Sequence, residues 1–235
     1  MLKMLTLSSL VAMSSLAVAN EPSEVDKGMD MPMASYAVGV QSGILLNDNI
    51  KRSAEVGIAL DKEKVIAGFV DGLYDKSTLT YEEALPYLQQ LDKAMKEKEK
   101  AMMAKFSEEN KAAGKRFMEQ QAKLGNVKST LSGLQYKVIK SGNGSRPDSS
   151  STVRVHYKGT LIDGTQFDSS YDRGEPAEFK VDGVIEGWTE MLQLMSEGGM
   201  VEVTMPSSLA YGEEGTPNIP PGATLVFIIE LLEVK

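Results

Sequence analysis

From Glu82 to about Leu124 only Pro86 and Gly114 interrupt a run of helix-compatible residues. A helix of about 40 residues would be roughly 60 Å long, far more than one small hydrophobic core can cover. The chain is therefore expected to fold as separate parts on either side of a rod. The middle of the run, KAMKEKEKAMMAKFSEENK, is charged on most faces, and its apolar residues thin out from Leu85, Leu88 and Leu91 through Met95, Met102 and Phe106 to Phe117. A sustained coiled coil does not suit this pattern, because its seam would have to tolerate long polar gaps. We read 92–128 as a solvated connecting helix supported by i,i+4 pairs such as Lys93 with Glu97. Pro86 falls in its first two turns, where a proline kinks a helix rather than ending it.

Ahead of the rod the chain opens with Met-Leu-Lys-Met, an apolar stretch from Leu5 to Val18, and Ala17-Val18-Ala19 before Asn20. Charged start, apolar centre and A-x-A site read as an export leader over 1–19, cleaved after Ala19. As a membrane anchor the stretch is too short, under the roughly 18 residues that span a bilayer, and serines interrupt it. No cysteine stands at the cleavage point to carry a lipid. Residues 20–34 are polar and aperiodic, a mobile tail. Met29, Met31 and Met33 beside Asp26 and Asp30 make a weak set for a soft metal, three thioethers without a histidine.

Over 35–91 the apolar residues take helical spacing: Tyr36, Val40, Ile44 and Leu45-Leu46, then Val65, Phe69 and Leu73 behind a cap at Asp61. Thr80-Tyr-Glu-Glu83 has the spacing of a capping box. Short helices tied to a long exposed rod cannot bury such stripes alone, so 35–91 is expected to be a dimerisation domain covered by a second copy of the chain.

Past Ser129 the period changes to two. Alternating runs at 134–139, 153–157, 177–181, 200–205 and 224–234, with Phe167 on a further strand and Asp163-Gly164 as a hairpin turn, predict an antiparallel sheet. Between them Val184–Met195 is the one plausible helix, which makes 129–235 an α+β domain. Charge divides at the same seam. Residues 131–235 hold 8 Lys+Arg against 15 Asp+Glu, net −7, whereas 1–130 hold 17 against 18, net −1.

Several chemistries are excluded. The chain has no cysteine, so disulfides, thiol nucleophiles and cysteine-ligated metals are out, and its single histidine, His156, cannot build a histidine metal site. A formal charge of −8 and a pI near 4.9 argue against nucleic-acid binding. There is no G-x-S-x-G, Walker A or H-E-x-x-H motif. The C-terminal aromatics Tyr157, Phe167, Phe179, Trp188, Tyr211 and Phe227 fit either an apolar cleft or a buried core, and residue type alone favours core.

Five strings carry more. V-R-V-H-Y-K-G-T-L (Val153–Leu161), D-G-T-Q-F-D-S-S (Asp163–Ser170), V-I-E-G-W (Val184–Trp188), A-Y-G (Ala210–Gly212) and I-P-P-G-A-T-L-V-F (Ile219–Phe227), co-linear over 131–235, resemble the FKBP-type peptidyl-prolyl cis–trans isomerases. The whole layout resembles their exported, dimeric bacterial subgroup, in which a helical N-terminal domain intertwines two chains and a long helix carries each isomerase domain. The resemblance implies an antiparallel sheet wrapped around a short helix. It also implies a prolyl pocket with Trp188 as floor, Tyr157, Phe179, Val184, Ile185, Ile219 and Phe227 as walls, and Phe167, Asp168 and Tyr211 at the rim. In the family the N–H at Ile185 and the Tyr211 hydroxyl bond substrate carbonyls, and Asp168, held by Arg173 and buried at the cleft edge, faces the reacting carbonyl. Tyr157, Asp168, Trp188, Tyr211 and Phe227 are then the catalytic set, with no metal or other cofactor. His156 is expected to be structural, since a lone histidine has no acid–base partner and the reaction needs none. The compact acidic segment Gly212–Ile219 departs from the family and bears on substrate preference.

The resemblance also implies a homodimer in the periplasm, or at the outer membrane or cell surface, without stable membrane insertion. Its partners would be unfolded or folding proline-containing polypeptides, and FK506- or rapamycin-type macrolides as inhibitors. Three functions stay open at this point: an isomerase with chaperone activity from its helical dimer, chiefly a holdase with incidental isomerase activity, or a surface factor that engages host proteins.

Overall fold

The computed structural model describes residues 30–235, so the leader reading over 1–19 and most of the tail reading lie outside the described residues. Two compact units divide the chain, one ending at Glu99 and the other spanning Lys100–Lys235.

The first unit holds α1 (Met31–Glu55), α2 (Lys62–Leu73) and the beginning of α3 (Tyr81–Gln121). Helix α1 starts earlier than the tail reading allows, because Asp30 caps it, accepting from Met33 N at 3.1 Å, and Pro32 occupies its first turn. Asp61 caps α2 as the spacing predicts, accepting from Lys64 N at 3.0 Å. At α3 the Glu83 carboxylate accepts from Thr80 N at 2.9 Å while Glu83 N donates to Thr80 Oγ1 at 3.3 Å, a reciprocal capping box. The helix passes Pro86 without ending. Its i,i+4 ion pairs among the described residues are Asp92 with Lys96 at 2.7 Å and Lys105 with Glu109 at 3.8 Å, rather than Lys93 with Glu97. Val56 is the one buried hydrophobic residue of this unit among the described residues, whereas Tyr36, Val40, Ile44, Phe69 and Leu73 are exposed.

In the second unit a seven-stranded antiparallel sheet is built from β1 (Lys128–Ser129), β2 (Gln135–Lys140), β3 (Thr152–Leu161), β4 (Gln166–Ser169), β5 (Ala177–Lys180), β6 (Met200–Met205) and β7 (Leu225–Val234). The order is β1-β2-β6-β7-β3-β4, with β5 also on β3. Period-two burial puts Val153, Val155 and Tyr157 of β3 and Leu225, Phe227, Ile229 and Leu231 of β7 on one face. Helix α5 (Glu186–Leu194) lies on that face through Gly187, Trp188, Met191 and Leu192. Burying each large apolar side chain there stabilises the fold by roughly 1.5–3 kcal/mol. The Asp163-Gly164 turn forms, with Gly164 at φ 90°.

The fold differs from the sequence reading in two further ways. A one-turn helix α4 (Ser170–Arg173) follows β4, started by Ser169 Oγ accepting from Asp172 N at 3.2 Å, a cap too short to show periodicity. And one face of the second half of α3 departs from the solvated reading, because its Ser107 and Gly114 are buried within the second unit.

Candidate active site

The sheet and α5 leave a cavity of about 450 Å³ at one end of the core. Trp188, only 4% exposed, forms its floor on the first turn of α5. Three rings meet the indole edge-on: Tyr157 from β3 at 5.2 Å, Phe227 from β7 at 5.3 Å and Phe179 from β5 at 5.7 Å. Such edge-to-face contacts fix ring orientation beyond what area burial requires. Phe167 stands edge-on to Phe227 at 5.5 Å. Val184 and Ile185 line the wall ahead of α5, and Tyr211 lines the rim from the segment joining β6 to β7.

Gly159 makes this wall fit. It pairs with Asp168 on one side and Phe227 on the other, and a Cβ there would stand 2.6 Å from the Phe167 ring and 2.7 Å from that of Phe227. Sequence reasoning missed its role, although the residue lies inside the first quoted string; only the ring positions reveal it. Gly183 also lines the cavity and was not anticipated.

The polar edge is one connected group. The Tyr157 hydroxyl donates to Asp168 Oδ2 at 2.5 Å, Arg173 Nη1 donates to Asp168 Oδ1 at 2.5 Å, and Arg173 Nη2 donates to the Tyr157 hydroxyl oxygen at 2.8 Å. Arg173 thus does hold Asp168. The expectation that the pair is buried fails, however: the Arg173 and Asp168 side chains are 45% and 43% exposed, because one-turn α4 presents Arg173 from solvent. Burial resists the Asp168 charge, but hydrogen bonds from Tyr157 and Arg173 outweigh it and lower the carboxyl's pKa. Burial and the bond to Asp168 raise that of the Tyr157 hydroxyl. Tyr211 is raised too, by burial and by the Asp168 charge. Both phenols therefore remain hydrogen-bond donors at neutral pH.

A second donor comes from the backbone. Ile185 precedes α5 in extended conformation, and its carbonyl accepts from Trp188 N at 2.9 Å and Thr189 N at 3.1 Å. Its own N–H has no protein acceptor among the described residues.

Ile219, expected as a wall, does not line this cavity. Its carbonyl and N–H close a bridge to Thr216 at 2.8 and 3.1 Å, and its side chain, 5% exposed, belongs to the core. His156 takes the structural place expected of it: Nδ1 is 3.0 Å from Ser170 Oγ and the ring stacks on Tyr171 at 4.6 Å. Among the described residues no cluster of His, Cys, Asp or Glu could hold a metal ion.

Comparison with known proteins gives the site its context. A family model described as "FKBP-type peptidyl-prolyl cis-trans isomerase" matches residues 144–232, and one described as "Domain amino terminal to FKBP-type peptidyl-prolyl isomerase" matches 32–138. The chain belongs to the FKBP-type peptidyl-prolyl cis–trans isomerase family. It is 45% identical over 206 residues to the FKBP-type isomerase FkpA of Escherichia coli K12, covering 88% of this chain and 76% of that protein. The FkpA of Aeromonas hydrophila is 44% identical over 222 residues, 93% of this chain and 83% of the relative. The crystal structure of Escherichia coli FkpA matches with a TM-score of 0.76, covering 88% of this chain and 98% of that one. This FKBP-type chain is accordingly a peptidyl-prolyl cis–trans isomerase of α+β fold.

Proposed function

We propose that the isomerase binds the prolyl ring over Trp188 and turns the preceding amide without covalent chemistry. The observation that carries this is the aromatic floor with polar groups at its edge only: Ile185 N–H, Tyr211 hydroxyl and the Tyr157–Asp168–Arg173 group. The barrier to an X–Pro bond, roughly 18–20 kcal/mol, is the cost of breaking amide resonance. The planar amide is more dipolar than the twisted one, its oxygen the more negative. A cavity walled by Phe167, Phe179, Val184 and Phe227 disfavours that dipole, and the Asp168 carboxylate beside the carbonyl disfavours it further. Ile185 N–H and Tyr211 hold the flanking carbonyls, so the chain twists at one bond. Those two bonds serve both forms of the amide, while the apolar wall and the Asp168 carboxylate supply the binding that strengthens toward the transition state. A rate gain of about 10⁶ requires only about 8 kcal/mol, within reach of such differential binding.

The test is a protease-coupled or NMR-exchange assay on an X-Pro peptide. Loss of acceleration on combining Tyr157→Ala with Asp168→Ala supports the assignment; full activity in that double variant overturns it. The same cavity is proposed to accept FK506- or rapamycin-type macrolides.

The proposed assembly is a homodimer whose dimerisation domain runs from Met31 to about 91, joined by α3 to an isomerase domain over 129–235. Its support is the exposed apolar stripe of α1 and α2, which only a second copy covers without a further component. We place the protein in the periplasm, acting on folding proline-containing chains, on the strength of the leader pattern over 1–19. Among the described residues no helix is long and apolar enough to cross a membrane. A chaperone activity of the helical unit is the second reading, favoured by the same stripe. Aggregation suppression that survives in the Tyr157→Ala, Asp168→Ala variant would locate it outside the pocket.

A further inference from the structure

The segment 206–224 carries Tyr211 to the cavity rim; its internal support is a set of short-range backbone bonds, among them Gly215 N to Tyr211 O at 3.2 Å, with Ile219 and Ala223 buried in the core. Gly212 N donates to Ser207 O at 2.8 Å and Gly222 N to Gly212 O at 3.0 Å, and the Thr216–Ile219 bridge closes the tip. Gly212, Gly215 and Gly222 all sit at positive φ, turns that a residue with a Cβ adopts only under strain.

What holds it from outside is the second half of α3, within the same compact unit. Asn110 Nδ2 donates to Pro221 O at 2.8 Å. The Lys111 ammonium bonds the Glu213 carboxylate and also Glu108, at 3.0 Å. Ser107, 2% exposed, lies against Gly222, where a Cβ would come within 2.5 Å of the Ser107 carbonyl oxygen. Gly114 lies so close to Thr224 that a Cβ there would stand 1.9 Å from Oγ1 and 2.7 Å from Cβ. The positions 107, 110, 111 and 114 recur at three- and four-residue steps, which is one helix face. Their residues are small or hydrogen-bonding rather than apolar, so in the sequence this face reads as solvated.

We propose that Asn110, Lys111 and Gly114 are positioning residues for the isomerase reaction: as a backstop, they fix segment 212–224 and with it the Tyr211 hydroxyl. The proposal rests on the reading above that Tyr211 donates to a substrate carbonyl. Gly212, bonded to Ser207 on one side and to Gly222 on the other, joins Tyr211 directly to the part that α3 grips. Releasing the grip lets Tyr211 sample positions out of reach of substrate. A hydrogen bond to a flanking carbonyl serves the planar and the twisted amide alike, so its loss falls on KM rather than on kcat.

The experiment measures KM and kcat for an X-Pro peptide with the full chain, with amide hydrogen exchange at Gly212 and Gly222. In Asn110→Ala with Lys111→Ala, KM rises about fivefold, kcat stays within about twofold and both amides lose protection. Restoring a cation as Lys111→Arg recovers part of the KM. Lys105→Ala, on the same helix with its partner Glu109 3.8 Å away, changes neither constant. In a Tyr211→Phe background the Asn110, Lys111 pair of substitutions adds nothing, because the two routes share one bond. If Tyr211→Phe raises KM while the α3 substitutions leave KM and exchange unchanged, the positioning role is overturned and the pocket assignment stands. If Tyr211→Phe itself has wild-type KM, both fall.

Discussion

The Tyr157 hydroxyl and the Asp168 carboxylate are 2.5 Å apart, and a single guanidinium, Arg173, bonds both. The tyrosine lies on β3, the aspartate on its neighbour β4, and the arginine on the one-turn helix α4 that follows. Asp168→Asn keeps the shape and removes the charge. We expect kcat/KM to fall about tenfold with little change in Tm, measured by coupled assay and thermal unfolding.

Because its pKa in the folded chain is lowered, Asp168 favours the native state at pH above its unfolded value, near 3.9, and this contribution is lost as pH falls through the folded value. The raised pKa of Tyr211 keeps its proton across the same range. The expected pH profile of kcat/KM is therefore flat from about pH 5 to 8. A bell-shaped profile with a limb near neutrality would require a titrating group that this mechanism does not use.

Trp188 is the only tryptophan of the chain and lies at the cavity floor. Emission from this one indole should change on titration with a proline peptide or a macrolide, and the change should be absent in Trp188→Phe. Trp188→Ala is expected to cost about 3–5 kcal/mol in chemical denaturation, since it empties the centre of four packed rings.

Gly159→Ala introduces a methyl group less than 3 Å from two cavity rings. Over-packing of this kind costs roughly 1–3 kcal/mol and displaces Phe167 or Phe227. Catalysis should suffer more than folding does, with kcat/KM down about tenfold or more, read against the Tm of the same variant.

Ile44→Glu and Phe69→Glu put charge on the exposed stripe of α1 and α2. Sedimentation at micromolar concentration should show the native chain as a dimer and the double variant as a monomer. Activity on a short peptide should be retained, since neither residue belongs to the cavity. A native chain that sediments as a monomer would refute the assembly.

Most of the fold was legible in the residues because it is locally encoded. Asp61, the Thr80–Glu83 box and the Asp163-Gly164 turn each act within four positions of themselves, and the alternation in β3 and β7 needs no partner to be read. The capped start at Asp30 was locally encoded as well and was missed because Pro32 resembled tail composition. Of the ten pocket residues that the motif resemblance implies, nine line the cavity, and Ile219 is instead placed by how residues 212–222 fold back on themselves.

What the sequence by itself determined is the division into a charged rod, a helical part and an acidic α+β part, together with the aromatic residues available to a pocket. Only the tertiary structure decided that Arg173 grips both Tyr157 and Asp168 from a half-exposed position, that Gly159 leaves room for two rings, and that one face of the charged helix is committed to the Tyr211 segment. The physical reason is the same in each case. Periodicity records which way a side chain points from its own element, whereas these contacts join residues on separate elements, and the distance between elements is set by how the core packs.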